Sequence, residues 1–463
     1  MQNLWILTEE RPKNSVIKTI LEEYCQEYGA TPTFSADLKI KPIVVGGNFS
    51  FDYAVENATV SGIDKITIKI VSGSSSFVDY LIVRSENVPV NKSCDGILMA
   101  FEETKTSDSD SRNTAISQRA SKFVFIKNYC PEAKKYMLYN DSMTNSNKAP
   151  TATNIFGTGM LLTLGVKFLG KSLCPHFTKF TTVRELIDAK EKMRPPNHTN
   201  TPIKIKEVNK DLITISGKLD KKGAEKKISH DPNIGGLSCI GETLRQLGWA
   251  GEIRVIKHNI PQSYINKTKG KNKCLYLFSE IGMTMEGITM PTKTSLPEAY
   301  WQYAHLSEKE KIASILLHLT AQYCGINGIY ENHAGCERSF YRHSSGLLTA
   351  LPKKDTNGTN LLLPDLILKD DTKKEIFIIE GKALKELSKG LVQIAKLNSI
   401  ESEYINIDYP NYTVSRWLTI FGGEKTEVPD DKVLLYVSES GNVILNPNAP
   451  AAIKAAFESV GLA

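Results

Sequence analysis

The 463-residue chain contains no run of 18 uninterrupted apolar residues, so no membrane-spanning helix is expected. Residues 1–14 turn polar and charged after Leu7, too short an apolar start for a secretory signal. Cysteine is sparse. The eight residues, Cys25, Cys94, Cys130, Cys174, Cys239, Cys274, Cys324 and Cys336, form no C-x2-C pair, and no histidine lies at zinc-finger spacing, so zinc is not expected. Scattered single cysteines also argue against a disulfide framework and suit a reducing, cytoplasmic compartment. Neither sign of charge dominates: 57 Lys and Arg stand against 51 Asp and Glu, a net +6 that permits a polyanionic partner without requiring one. The signatures G-x-S-x-G, H-E-x-x-H and G-x-G-x-x-G are missing, which removes the commonest serine-hydrolase, metalloprotease and dinucleotide-binding readings. A nucleotide cofactor and a built-in translocase are not expected. No repeat of fixed period occurs.

What is present is globular. Hydrophobic residues make up 41% and charged residues 23%, and the length is enough for two ordinary domains with real cores. Residues 15–28 read as a helix stopped by Gly29, followed by strand-like runs at 43–45, 66–70, 78–83 and 96–101. A short helix is expected at 114–122 and a strand at 123–126. Residues 183–193 read as a helix ended by Arg194-Pro195-Pro196, which marks a boundary. The middle is basic: residues 201–230 carry eight lysines against four acids. A helix is expected at 241–247 and strands at 253–256 and 274–278. Residues 297–324 read as a long helical region, and 361–363, 366–368 and 376–379 as strands. Asp370-Asp371-Thr372-Lys373 reads as a hairpin turn, and 383–398 as a helix. The expected class is α/β, in three successive regions: 1–195, a basic region 196–297, and 298–463.

Chemistry enters in the C-terminal region. Asp365 opens one apolar strand, while Glu380 and Lys382 close the next, Ile376-Phe377-Ile378-Ile379-Glu380-Gly381-Lys382. Side chains alternate along a strand, so Glu380 and Lys382 share a face, and a hairpin partner brings Asp365 beside them. Two carboxylates can hold Mg²⁺, leaving water and phosphate oxygens to complete its octahedron. The ion then polarises a phosphoryl group, and the lysine offsets charge that develops on it. Three charged side chains at the ends of apolar strands call for such an explanation.

A second copy of the pattern lies in the N-terminal region. Asp79 sits in Phe77-Val78-Asp79-Tyr80-Leu81-Ile82-Val83, and Glu103 and Lys105 end Phe101-Glu102-Glu103-Thr104-Lys105. Asp79, Glu103 and Lys105 are the expected triad. Asp95 is a rival first carboxylate, but it lies only eight residues before Glu103, a short span for a hairpin. The following segment starts a helix whose Arg112 and Arg119 are suited to phosphate contact.

Pro364, Asp365, Glu380 and Lys382 together resemble the PD-(D/E)xK nucleases, which include most type II restriction endonucleases. The resemblance implies a mixed-sheet restriction-endonuclease-like core, present twice, and Mg²⁺-dependent hydrolysis of double-stranded DNA. The motifs that carry it cover a small part of the chain. The N-terminal copy departs from the pattern, with Val78 in place of the proline. Two different sites in one chain resemble the restriction enzymes that cut asymmetric targets, each site serving one strand. Gln393, on the helix after the C-terminal motif, matches a position where many such nucleases carry a polar residue. Candidate DNA contacts are Arg112, Arg119, Lys257, Asn259, Gln262, Lys267, Lys269, Lys271 and Arg338, residue types that meet phosphates or base edges. The chain is expected to act as a monomer or homodimer. A structure-specific, repair or mobile-element nuclease is an alternative, and so is a DNA-binding protein with one or both sites inactive.

Overall fold

The computed structural model describes residues 2–45, 48–73, 77–104, 112–139, 152–170, 176–192, 203–216, 232–258, 261–263, 273–290, 300–307, 309–332 and 340–462. The chain is mixed α/β. It begins with β1 (Asn3–Thr8), α1 (Asn14–Tyr28), β2 (Pro32–Val45), β3 (Asn48–Val60), β4 (Lys65–Gly73), β5 (Tyr80–Ser85), β6 (Ile97–Thr104) and α2 (Arg112–Tyr129). There follow β7 (Lys134–Tyr139), α3 (Ala152–Thr163), β8 (Val166–Leu169), α4 (Val183–Glu191), β9 (Lys204–Asn209), β10 (Leu212–Ser216), α5 (Pro232–Gln246), β11 (Glu252–Ile256), α6 (Lys273–Ile281), β12 (Met283–Met285) and β13 (Trp301–Tyr303). The last part holds α7 (Ile312–Tyr323), β14 (Asn327–Glu331), β15 (Phe340–Arg342), β16 (Leu348–Ala350), β17 (Leu366–Asp370), β18 (Glu375–Ala383), α8 (Leu387–Ala395), β19 (Thr413–Phe421), β20 (Val433–Val437), β21 (Val443–Leu445) and α9 (Ala451–Val460).

Two compact units form, and neither is continuous in sequence. One comprises Met1–Ser72, Val83–Asn91 and Gln302–Ala463; the other comprises Gly73–Ile82 and Lys92–Trp301. This differs from the expected succession of three regions. The opening segment joins the C-terminal one because α7 packs on β2, and its Tyr323 hydroxyl meets Glu56 Oε2 of the neighbouring β3 at 3.3 Å. The basic middle joins α2, whose Lys127 Nζ lies 2.5 Å from Glu242 Oε1 on α5.

In the first unit, β2, β3, β4 and β1 lie side by side in that order, with β1 parallel to β4 and the other pairs antiparallel. A second sheet has the order β14-β17-β18-β19-β20-β21. Here β17 runs antiparallel to β14 and β18, while β19 is parallel to β18 and β20. The interior position of β18 explains its unbroken Ile-Phe-Ile-Ile run, since helices cover both faces. Helix α7 packs behind Gly381, and α8 crosses on the face of Lys382, where Gly390 lets it approach closely: a Cβ there would lie 3.0 Å from Lys382 Cγ. In the second unit, the first half of β5 (Tyr80–Ile82), β6, β7 and β8 are adjacent, with β6, β7 and β8 parallel, and β12-β11-β10-β9 form a separate sheet. The order strand, strand, helix, parallel strand therefore occurs in both units, as β5-β6-α2-β7 and as β17-β18-α8-β19.

Several expected elements hold. Helix α1 ends at Gly29, whose φ of 67° is the left-handed C-cap that glycine adopts freely. Others change type. Residues 123–126 lie inside α2 and 274–278 inside α6, because a short apolar run has no period that separates a buried helix from a strand. The helix expected over 297–324 is confined mainly to α7, with β13 ahead of it, and 361–363 form no strand. Among the described residues, no helix is long and apolar enough to cross a membrane.

Candidate active sites

The C-terminal site forms at the open end of the β17–β18 hairpin. Leu366 pairs with Ile379, so the next residue on each strand brings Asp365 opposite Glu380. The Gly381 N–H donates to Asp365 Oδ2 at 2.9 Å. Glu380 Oε1 accepts from Lys382 Nζ at 2.5 Å and from Gln393 Nε2, on α8, at 2.6 Å. Its other oxygen, Oε2, is buried without a hydrogen-bond partner. Lys311 Nζ, just ahead of α7, lies 3.3 Å from Asp365 Oδ1 and also donates to the Asn332 carbonyl at 3.1 Å.

Gly381 is required where it stands. A Cβ there would lie 2.3 Å from Ser314 Oγ of α7 and 3.2 Å from Asp365 Oδ2. Ser314 is itself fixed by a 2.7 Å bond to Thr419 of β19. Burial and then the charge of Asp365 push the Glu380 carboxyl up to about 7, against the pull of Lys382. At Lys382, burial alone would lower the ammonium, but the bond to Glu380 and the charges of Glu380, Asp365 and Glu310 outweigh it and the net shift is upward. Lys382 therefore stays charged at neutral pH.

Two carboxylates, one with a buried oxygen lacking a donor, fit a hard divalent cation. Among the described residues, no group of three or more His, Cys, Asp or Glu side chains gathers to hold a metal. The fit is therefore to an ion such as Mg²⁺, which takes one or two carboxylates and keeps water and phosphate oxygens as its remaining ligands.

The N-terminal site repeats this arrangement with a shift of one residue from the expected triad. Here the Glu103 N–H donates to Asp79 Oδ2 at 2.6 Å, the counterpart of Gly381 and Asp365. Glu102 thus corresponds to Glu380. Thr104, not Lys105, occupies the sequence position equivalent to Lys382. Alternation along the strands decides this: Asp79 and Glu102 share one side, while the Glu103 carboxylate turns to the other and accepts the Tyr80 hydroxyl at 2.8 Å. Both Glu102 and Asp79 are buried. Lys122 of α2 donates to both Glu102 oxygens, at 2.8 and 2.9 Å, and Arg119 Nε lies 3.9 Å from Oε1. Burial, then the charge of Asp79, pushes the Glu102 carboxyl up to about 8, with Lys122 and Arg119 pulling back. Asp95, the rival carboxylate, is exposed in the loop before β6.

The other expected residues fare unevenly. Arg119 turns into the carboxylate site. Arg112 opens α2, with its side chain outside the described residues, as are Lys105, Asn259, Lys267, Lys269, Lys271 and Arg338. Lys257 is exposed, with a left-handed φ of 56°. The Gln262 amide is committed at both ends to Thr289: Nε2 donates to its carbonyl at 3.1 Å and Oε1 accepts its N–H at 2.7 Å. That bridge pins a loop and leaves Gln262 poorly suited to reading a base. His343, a possible neighbour of Asp365 by sequence, instead bonds Asp408 at 2.9 Å and Thr349 at 2.8 Å.

Sequence reasoning missed Lys311, Ser314, Glu102 and Lys122. For Glu102 the signal was present, as an adjacent pair of glutamates; for Lys122 there was none short of the packed helix. One nucleotide-binding pattern does occur in the chain: Gly165-Val166-Lys167-Phe168-Leu169-Gly170-Lys171-Ser172 fits G-x-x-x-x-G-K-[ST]. Its intervening residues, however, form strand β8 and not a loop that wraps phosphate, and Lys171 and Ser172 lie outside the described residues. No protein-family model, curated protein or solved structure matches this chain.

Proposed function

We propose that the chain is a Mg²⁺-dependent endonuclease that hydrolyses double-stranded DNA at a specific sequence, with each of its two carboxylate sites cutting one strand. The observation that carries this reading is the Asp365–Glu380 pair at a hairpin end, with one buried carboxylate oxygen lacking a donor and Lys382 alongside. The recurrence of the carboxylate pair at Asp79 and Glu102, on a like arrangement of strands and helix, supports two sites in one chain. The mixed sheets are compatible with the restriction-endonuclease-like core that the motif resemblance implies.

Asp365 and Glu380 would hold the ion. When bound, Mg²⁺ supplies positive charge at the phosphoryl group and lowers the pKa of water. Gln393 holds Glu380 Oε1 in place, so that Oε2 is presented to the ion. Lys382, kept protonated by its anionic neighbours, offsets the charge that grows on the phosphoryl oxygens in the transition state. The close contact at Gly381 seats the hairpin end against α7 and fixes the spacing of the two carboxylates. In the reaction a water oxygen forms a bond to phosphorus and gives up one proton to solvent, one P–O ester bond breaks, and the leaving oxygen takes a proton from solvent, so each cut consumes one water.

The test is digestion of a plasmid library of diverse sequence with Mg²⁺, followed by sequencing of the ends. A single recurrent sequence at fixed cut positions is expected. Ends that cluster at junctions, nicks or flaps would favour a structure-specific nuclease, and intact DNA under all conditions would refute nuclease activity.

A further inference from the structure

The two sites carry the same charges from different parts of the chain. At the C-terminal site, Asp365 and Glu380 face Lys382, from the strand of Glu380, and Lys311. At the N-terminal site, Asp79 and Glu102 face Lys122 and Arg119, both from α2. The lysine expected on the strand, Lys105, lies one residue beyond the position that matches Lys382. Where α8 sends the neutral Gln393 to Glu380, α2 sends a cation to Glu102. Lys122 is partly accessible, its side chain 20% exposed, while Glu102 is nearly enclosed at 4%.

We propose that Lys122 is the catalytic cation of the N-terminal site, acting beside Asp79 and Glu102 in place of a strand lysine. The proposal rests on the nuclease reading above. Asp79 and Glu102 would hold the divalent ion, and Lys122 would share its ammonium between Glu102 and the scissile phosphate. Its four-carbon stem and location on a helix face next to the strand end allow both contacts. The reaction balances as before: water adds to phosphorus and releases one proton to solvent, one P–O ester bond breaks, and solvent protonates the leaving oxygen. Lys122 keeps its own proton throughout and serves as charge. Arg119, farther from Glu102, is suited to a neighbouring phosphate and replaces Lys311 in the charge inventory. A purely structural ion pair would need one carboxylate. Asp79 accepts the Glu103 N–H just as Asp365 accepts that of Gly381, so the repeated feature that Lys122 faces is a carboxylate pair and not Glu102 alone.

The test uses the full-length chain with supercoiled plasmid and end-labelled duplex in Mg²⁺. In a Glu380→Ala background, the remaining nicks come from the N-terminal site. Adding Lys122→Met is expected to slow nicking by roughly 100-fold or more, the usual effect of losing one charge aimed at a transition state. Lys122→Arg should restore part of the rate. Lys105→Met should leave the rate within about threefold, a small effect on transition-state binding. DNA affinity in Ca²⁺ should stay near that of the Glu380→Ala parent in all of these, and so should the thermal midpoint of Lys122→Arg and Lys105→Met, whereas Lys122→Met should melt lower because buried Glu102 loses its partner. A second readout does not depend on cutting: Mn²⁺ titration followed by electron paramagnetic resonance should find two ions per chain, one after Glu102→Gln, and two after Glu103→Gln. Undiminished nicking by Lys122→Met, loss of nicking by Lys105→Met, or unchanged Mn²⁺ stoichiometry in Glu102→Gln would overturn the assignment. Nicking by Glu102→Gln but not by Glu380→Ala would overturn it while leaving the C-terminal site as a nuclease. No cutting by the wild type or any variant would instead refute the nuclease reading on which it rests.

Discussion

The Glu380→Gln substitution tests the electrostatics of the C-terminal site without requiring a substrate. Burial and the nearby Asp365 hold the Glu380 carboxyl near 7, against an ordinary value of 4.5. The folded chain therefore binds this proton more tightly than the unfolded chain does. The resulting stability is fully present below about pH 4.5 and is lost as the pH rises through about 7. A shift of that size corresponds to at most about 3 kcal/mol, at roughly 1.4 kcal/mol per unit. Glutamine keeps the shape and the Oε1 acceptor for Lys382 and Gln393 but cannot ionise, so it escapes this loss. In EDTA, the stability of the variant relative to wild type should rise by up to about 3 kcal/mol between pH 5 and pH 8. In thermal melts this is a relative gain on the order of 5–10 °C for a unit of this size. Glu102 titrates in both proteins and cancels in the difference. Adding Mg²⁺ at pH 8 should stabilise the wild type more than the variant, which keeps only the N-terminal ion, because ion binding at the C-terminal site requires the ionised carboxylate. Parallel pH profiles, within about 0.5 kcal/mol from pH 5 to pH 8, would refute both the raised proton affinity and its cause.

Other outcomes follow from the same geometry. Gly381→Ala should destabilise the first unit by roughly 1–3 kcal/mol, because its methyl would press on Ser314 Oγ; adding Ser314→Ala should recover part of that in a denaturant melt. Lys382→Met should slow cutting of one strand by roughly 100-fold while leaving binding in Ca²⁺ intact, read on end-labelled duplex. EDTA should abolish cleavage and Mg²⁺ restore it, while Ca²⁺ should support binding with little cutting. Gln262→Ala should leave the cleaved sequence unchanged in end mapping, because its amide is committed to Thr289.

Local sequence determined much of the C-terminal site. An apolar strand pair joined by Asp370-Asp371-Thr372-Lys373, with its charges confined to the turn and the open end, leaves little choice of register. Asp365, Glu380 and Lys382 meet there as period-two alternation requires. Helix α1 and its glycine stop were equally legible, because a cap is a local conformational preference. The N-terminal site was legible only to within one residue. Glu102 and Glu103 are adjacent, and a slip of one residue exchanges the two faces of a strand. Only the bond from the Glu103 N–H to Asp79, formed across neighbouring strands, selects Glu102. Apolar runs such as 123–126 and 274–278 hid their helices because burial on all sides erases the period that sequence reading uses. The sequence by itself thus determined the chemical types and the strand ends that carry them. Tertiary structure decided which glutamate faces Asp79, which distant lysine neutralises it, and that the first 72 residues belong with the last segment. These are outcomes of packing between elements far apart in the chain, and local propensity and alternation hold no information about them.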